Sequence, residues 1–426
     1  MKLTRLALLT SLAAAVFGVT DARADDYVVG GYDSGLIQCD DCDTPLGGGS
    51  GVLTGNLLRA AGDADEPFEV FGGIGDWSVG GWVSAGYHNN DLPLLFNNRD
   101  HEFQVHQAWA YAENVADGSC GFDIGGRIDY VYGTDGPDTQ AFGIDNDHWD
   151  NGWDNGPDYG HALPQVYGEV AYGDMSVKIG HFYTIIGYEV VQATGNFFYS
   201  HAYTFFNSEP FTHTGVLGTF EQSEFITHYL GYVMGWDSGF EDNGDAILGG
   251  SSLDLTCDIN VTGTFIAGTF GSTGSNRENG FMGSLVTSVQ LTEPLSYVLQ
   301  IDYLDTEDPF GNTFRQTFDV NQYLFREIND FVSIGGRFEW YNIDGESTGL
   351  AGPNAVPLVN VPSDTNIYAL TGGLNLTPHP NVRIRPEIRY DTFFADSVNL
   401  AAADTTILDA GDDNQTTFGI DTIITY

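Results

Sequence analysis

The sequence predicts an all-β protein, a transmembrane antiparallel β-barrel of about 16 strands within a range of about 12 to 18. Three observations predict it: a basic and then apolar N-terminus, long runs of alternating apolar and polar residues from Phe71 onward, and a last alternating run that ends on Tyr426. Each run is roughly 9–12 residues long, the length that a tilted strand needs to cross a bilayer. Strands of soluble sandwiches average about 5–6 residues, so run length favours the membrane barrel.

Composition narrows the possible functions. The 426 residues carry 14 Lys and Arg against 59 Asp and Glu, which gives a formal net charge of −45. Because nucleic-acid affinity rests on Lys and Arg clusters that neutralise phosphates, we expect no nucleic-acid partner. The acidic residues are scattered among aromatic and β-branched residues, which argues against disorder.

Residues 1–24 have the pattern of a signal peptide. Lys2 and Arg5 precede an apolar stretch from Leu6 to Val19, and Ala22-Arg23-Ala24 fits a signal-peptidase site. The apolar stretch is shorter than the roughly 20 residues of a spanning helix. We therefore expect export, and the barrel pattern places the mature protein in the cell outer membrane.

Residues 25–70 form an irregular acidic segment rich in Gly and Asp, which fits a disordered linker, a small folded plug or a periplasmic tail. Within it, Cys39 and Cys42 form a CxxC without a second CxxC or a flanking His. In an oxidising compartment this pattern favours a local disulfide over a metal or redox site. Cys120 and Cys257 could pair if their segments meet in space.

Residues 71–426 contain the predicted strands. In the run near the C-terminus, Ile388 and Tyr390 alternate with Arg389 and Asp391. A soluble sandwich would bury the apolar face, whereas a barrel would turn it towards lipid. Tyr and Trp recur at run ends, where outer-membrane barrels carry interfacial girdles. The runner-up is a secreted soluble all-β adhesin or carbohydrate-binding protein.

The polar faces of the runs supply candidate pore-lining charges, although pairing across a polar interior would explain each of them as well. The candidates are Arg127, Arg337, Glu339, Arg383, Arg385, Glu387 and Arg389. Residues 187–213 are aromatic and do not alternate, and general porins fold a loop at a similar place into the lumen. We expect this segment to narrow the pore, although an external loop packed on its own aromatics fits too. Its polar candidates are Glu189, His201, Glu209 and His213.

Two further features concern assembly and metal binding. The last run alternates to a terminal aromatic residue, a pattern that fits recognition of Phe418 and Tyr426 by the outer-membrane assembly machinery, or an ordinary final strand. Asp145, Asp147 and Asp150 could hold Ca²⁺ through carboxylate oxygens, although a solvated acidic loop fits the same residues. No other cofactor is expected.

No motif in a suitable context predicts an enzyme. A barrel phospholipase with a Ser–His pair remains a third alternative, but no short segment marks its nucleophile.

A family resemblance rests on short segments. The segment from Gly180 to Gly187 followed by Glu189, then Tyr199-Ser200-His201 and Thr212-His213-Thr214-Gly215-Val216, resembles the OmpL-like group of β-barrel porins, as do Gly81-Trp82-Val83 and Ala85-Gly86-Tyr87. The resemblance runs from about residue 70 to the C-terminus. It implies an outer-membrane barrel with diffusive transport and no enzymatic role, and it does not include the CxxC segment.

We therefore expect a passive diffusion channel for small hydrophilic solutes or ions. Its partners would be outer-membrane lipid, the assembly machinery and those solutes, and a homo-oligomer is compatible with this function.

Overall fold

The computed structural model describes residues 73, 76–90, 96–97, 99–141, 149–240, 244–273, 276–343, 365–394 and 414–426. The predicted signal peptide, the segment 25–70 with Cys39 and Cys42, and the Ca²⁺ candidates Asp145 and Asp147 lie outside the described residues. What the sequence indicates for them stays a prediction.

Among the described residues, sixteen strands form one closed sheet. Their bounds are β1 (Ser78–His88), β2 (Phe103–Asn114), β3 (Phe122–Gly133), β4 (Gly160–Tyr172), β5 (Met175–Tyr183), β6 (Thr212–Ser223), β7 (Ile226–Val233), β8 (Asp245–Thr256), β9 (Ile259–Thr273), β10 (Asn276–Thr292), β11 (Leu295–Glu307), β12 (Thr313–Asn329), β13 (Val332–Ile343), β14 (Thr365–His379), β15 (Val382–Phe394) and β16 (Asn414–Thr425). Two short helices, α1 (Gly136–Thr139) and α2 (Tyr203–Asn207), and two 3₁₀ turns, Gly118–Cys120 and Ala193–Gly195, lie in connections.

The strands are joined in the simplest order. Each pairs antiparallel with the next along the chain, and β1 also pairs with β16, where Trp82 lies opposite Thr425. Closure leaves no unpaired sheet edge, which a barrel in lipid requires. The predicted all-β barrel of about 16 strands is confirmed.

The two faces of the sheet have opposite polarity. On β15, Ile388 and Tyr390 point outward and are 47% and 43% exposed, while Arg389 and Asp391 point inward and are fully buried. An exposed apolar outer wall around a polar interior suits lipid outside and water inside. This polarity favours the membrane barrel over the soluble alternative. Among the described residues, no helix is long and apolar enough to cross a membrane.

The connections differ at the two ends of the barrel. Short turns, such as residues 173–174 and 224–225, lie at one end, which we call the turn end. Longer connections, such as residues 184–211 between β5 and β6, lie at the opposite loop end. In outer-membrane barrels the short turns face the periplasm. Cys120 and Cys257 lie in two different turns, exposed and unpaired with each other, so the pairing considered for them does not form.

The chain end closes the barrel. Tyr426 exchanges two backbone hydrogen bonds with Gly81, and its hydroxyl donates to the Trp109 carbonyl oxygen at 2.8 Å. A Cβ on Gly81 would lie 2.1 Å from that same carbonyl oxygen, so this position needs glycine. Phe418 faces outward on β16 and is 55% exposed. Their predicted role as an assembly signal stays a prediction.

Candidate functional site

The connection from residue 184 to residue 211, which we call the inner loop, folds into the barrel. On one side, Gln107 of β2 bonds the backbone of Val191 and Ala193. On the other side, the loop bonds side chains that project inward from β11, β12, β13 and β15. The inner loop therefore crosses the barrel interior, because it contacts inward side chains on strands from different sides of the barrel.

Wall arginines hold the loop by its backbone carbonyls. Arg385 donates to the carbonyl oxygens of Ala193, Asn196 and Phe198 at 3.1, 2.8 and 2.7 Å. Two residues earlier in β15, Arg383 donates to the Thr194 carbonyl oxygen at 3.1 Å. The loop backbone thus gains partners that it lacks as irregular structure, which stabilises its inward path.

The same pattern continues around the second half of the loop. Arg389 donates to the His201 carbonyl oxygen at 2.5 Å, and Arg337 donates to the Ser200 carbonyl oxygen at 2.8 Å. Each guanidinium is also paired with an acid. Arg389 lies 2.9 Å from Asp391, and Arg337 lies 2.6 Å from Glu189.

Wall carboxylates hold the loop by its N–H groups. Glu387 accepts from the backbone N–H groups of Tyr199 and Ser200 at 2.9 and 3.2 Å and also from the Ser200 hydroxyl. Glu339 accepts from the Thr204 N–H at 2.9 Å. Arginine donors and carboxylate acceptors on the same wall therefore fix both the carbonyl groups and the N–H groups of the loop backbone.

Glu189 is the most fully bonded acid of the inner loop. One carboxylate oxygen accepts from Arg337 at 2.6 Å and from the Tyr323 hydroxyl at 3.1 Å. The other lies 3.1 Å from His201 Nδ1 and 2.9 Å from the Ala202 N–H. Burial alone would raise the pKa of Glu189, but the Arg337 charge and His201 outweigh it and lower the pKa to about 2. The group is therefore ionised at neutral pH.

Glu209 has the opposite electrostatic environment. Burial, followed by the neighbouring Asp302 carboxylate, raises its pKa well above the usual range. Gln300 lies 2.5 Å from one carboxyl oxygen. Gly187 adopts φ +88°, and a Cβ there would lie 2.0 Å from the other oxygen. The loop can therefore turn beside Glu209 only through a glycine.

The predicted loop residues divide between two elements. Glu189, His201 and Glu209 lie in the inner loop. His213 instead belongs to β6, because the ladder with β5 continues through its pairing with Phe182. Its ring nitrogens contact the Gly235 carbonyl and the Thr184 hydroxyl, both at 3.0 Å. Placing it in the loop was wrong.

The predicted pore-lining charges occupy two places. Arg337, Glu339, Arg383, Arg385, Glu387 and Arg389 contact or lie beneath the inner loop, and all of these except Arg383 are at most 8% exposed. Arg127 lies apart on β3, bonded to Glu113 and Asp129 at 2.9 and 2.6 Å. It shares the turn-end half of the interior with other partly exposed inward side chains such as Glu169 and Lys178. We call this half the vestibule.

Asp150 has a different environment from that of a Ca²⁺ ligand. Its two carboxylate oxygens accept from the backbone N–H groups of Ala141 and Leu163 at 2.9 and 2.7 Å. Burial raises its pKa to about 6. The described part of the chain holds no group of three or more His, Cys, Asp or Glu placed for a metal ion. Asp150 instead fixes the β3–β4 connection.

The sequence does not single out several further anchors of the loop. Asp302 accepts from the Thr204 hydroxyl at 2.7 Å, Asp391 accepts from the Tyr203 hydroxyl at 3.0 Å, and Asp421 pairs with Arg385 at 2.6 Å. Their alternation with outward apolar residues was visible. Which inward position meets the loop depends on register, which the sequence does not show.

Comparison with protein families gives a match over residues 76–426 to the model described as "Putative beta-barrel porin-2, OmpL-like". Comparison with curated proteins gives no match. Among solved structures, the anion-selective porin from Comamonas acidovorans is similar at TM-score 0.56 and 10% identity, covering 82% of this chain and 99% of that one. The trimer form of in-vitro folded OmpT from Vibrio cholerae is similar at TM-score 0.53 and 11% identity, with the same coverages. Salmonella typhi OmpF in complex with daunomycin is similar at TM-score 0.53 and 9% identity, covering 82% and 97%.

Proposed function

The chain belongs to the beta-barrel porin-2, OmpL-like family, and we propose that it is a passive diffusion channel for small hydrophilic solutes or ions whose constriction is set by the inner loop. The observation that carries this proposal is the path of the loop across the interior, bonded to wall side chains on both sides. The family and the fold are those of an outer-membrane channel.

The proposed mechanism is sieving by size and charge. Partly exposed inward side chains, among them Arg127, Glu169 and Lys178, give the vestibule a wet polar wall. The anchored loop then narrows the path without relying on its own weak secondary structure. Because the sequence carries 59 Asp and Glu against 14 Lys and Arg, we propose a preference for cations over anions.

The route to the membrane and the assembly state are also proposals. Removal of residues 1–24 would release the mature chain, and the alternating end with Phe418 and Tyr426 would be read during assembly. The similar Vibrio cholerae OmpT structure is a trimer form, and we propose that this chain also forms a trimer, which mass measurement in detergent would test.

Conductance across planar bilayers tests the channel proposal. Purified protein should give stepwise conductance, and a variant with residues 190–206 replaced by a short Gly–Ser linker should give larger steps. As a matched control, the same replacement of residues 151–158 in the β3–β4 connection should leave the step size unchanged. No conductance from folded protein, or equal steps in all three proteins, would contradict the proposal.

A further inference from the structure

Three polar side chains lie together on the outer, lipid-facing wall near the turn end. They are Gln222 of β6, His228 of β7 and Ser251 of β8. Each shares its face with exposed apolar residues, for example Phe220 on β6 and Leu230 on β7. Polar side chains on a lipid-facing wall are costly unless they bond one another, so their grouping calls for an explanation.

These three side chains form a linear relay. Ser251 Oγ lies 2.8 Å from His228 Nδ1, and His228 Nε2 lies 2.7 Å from Gln222 Oε1. Because an amide oxygen only accepts, the proton on the ring belongs on Nε2. Nδ1 then carries the lone pair and accepts from the Ser251 hydroxyl. His228 therefore turns an unprotonated ring nitrogen towards Ser251, as a general base towards a serine nucleophile must.

A groove of about 470 Å³ adjoins the relay. His228 and Ser251 lie in its lining together with apolar side chains such as Leu230, Phe265 and Leu285. Two outward glycines shape it: a Cβ on Gly249 would meet the Phe265 ring at 3.2 Å, and one on Gly263 would meet only Leu285, at 3.9 Å. The missing side chains leave room for an extended apolar chain along the wall.

The position of the relay along the barrel axis suits the ester group of a lipid. His228 is the third residue of β7, close to the turn 224–225, and Leu230 lies about 7 Å further from that turn. A phospholipid of the periplasmic leaflet would therefore place its ester at the relay and an acyl chain in the groove. We propose that Ser251 and His228 hydrolyse an acyl ester of glycerophospholipids, with Gln222 as a positioning residue.

The reaction uses only the ester and water. Ser251 Oγ bonds to the ester carbonyl carbon while its proton passes to His228 Nδ1. The carbon–oxygen bond to the glycerol then breaks, and the lysophospholipid leaves with that proton. Water next attacks the acyl-serine carbon and gives its proton to His228. The bond to Ser251 Oγ breaks, the proton returns to this oxygen, and a fatty acid is released.

The test measures fatty acid release from phosphatidylethanolamine in mixed micelles by purified, folded protein. Ser251→Ala and His228→Ala should each lower the rate at least about 100-fold. Ser252→Ala is the matched control, since this neighbouring serine faces inward and bonds Thr262 at 2.9 Å. It should keep the wild-type rate. All variants should keep their single-channel conductance, which separates this activity from the channel.

Substitutions at two positions separate the groove from the relay. Gly263→Phe should fill the groove and block hydrolysis of long acyl esters, while a small fluorophosphonate should still label Ser251. Gln222→Ala should lower kcat without changing KM, and Gln222→Glu, which keeps an acceptor oxygen, should restore it. Release by wild type no faster than by Ser251→Ala would overturn the proposal. If Gly263→Phe changed only the oligomeric state, the groove would be a contact between barrels and the proposal would be wrong.

Discussion

Neutralising Glu189 should release the inner loop from its wall. Glu189→Gln keeps the shape of the side chain and removes the charge that faces Arg337 at 2.6 Å. The pKa of Glu189 is lowered from 4.5 to about 2, which corresponds to about 3 kcal/mol of favourable interaction for the ionised form. Removing one partner of a buried ion pair costs about 3–5 kcal/mol, so the two figures agree.

We expect the inner loop to leave its anchored position often enough for single-channel recording to detect it. Single-channel records of Glu189→Gln in planar bilayers should show rapid fluctuation and a larger mean step than wild type. Glu169→Gln is the matched control, because Glu169 lies in the vestibule opposite Lys178 and away from the loop. The Glu169→Gln variant should give conductance steps of wild-type size without added noise.

A second substitution tests the physical cause. In Glu189→Leu with Arg337→Met, neither charge is left buried without a partner, so the steps should be quieter than in Glu189→Gln alone. Single-channel records of Glu189→Gln that match those of wild type would refute the reasoning. A double variant that is noisier than Glu189→Gln would refute it as well.

Three other predictions concern closure, pH and selectivity. Gly81→Ala should prevent closure at Tyr426 and abolish the heat-dependent shift in gel mobility, whereas Gly168→Ala, where a Cβ meets nothing within 4 Å, should keep it. The folded pKa of Glu189 lies below its unfolded value, so its contribution to holding the inner loop is complete above about pH 4.5 and is lost as pH falls through about 2. Channel noise should therefore rise only between these two pH values. A rise between pH 7 and 5 would contradict this prediction. Reversal potentials in a KCl gradient should give a potassium-to-chloride permeability ratio above one, and a ratio below one would reject the cation preference.

The barrel was predictable because its signal is local and repeated. In β15, each residue from Glu387 to Asp391 shows by its own polarity which face it occupies, and a lipid exterior makes this alternation obligatory. The strand count followed from the number of such runs. The inward direction of the 187–213 segment was an expectation drawn from its position in the chain, and the wall contacts of the inner loop now support it.

The contacts of the site were less predictable than its residue types. His213 has the same kind of side chain as His201, but it pairs with Phe182 because β6 begins at Thr212, within the last two residues of the 187–213 segment. The relay of Gln222, His228 and Ser251 has no sequence motif, since its members lie on three strands and meet only where β7 pairs with β6 and β8.

The sequence by itself determined the all-β fold, the exterior in contact with lipid and the inward placement of Arg337, Arg385 and Arg389, because period-two alternation assigns each residue to a face. Only the tertiary structure decided what those arginines meet. Their partners in the inner loop, backbone carbonyls and the Glu189 carboxylate, lie between 137 and 192 residues away along the chain, and such contacts depend on strand register and loop path. The acidic residues were visible from composition, but the opposite pKa shifts of Glu189, lowered, and Glu209, raised, follow from burial and neighbouring charge.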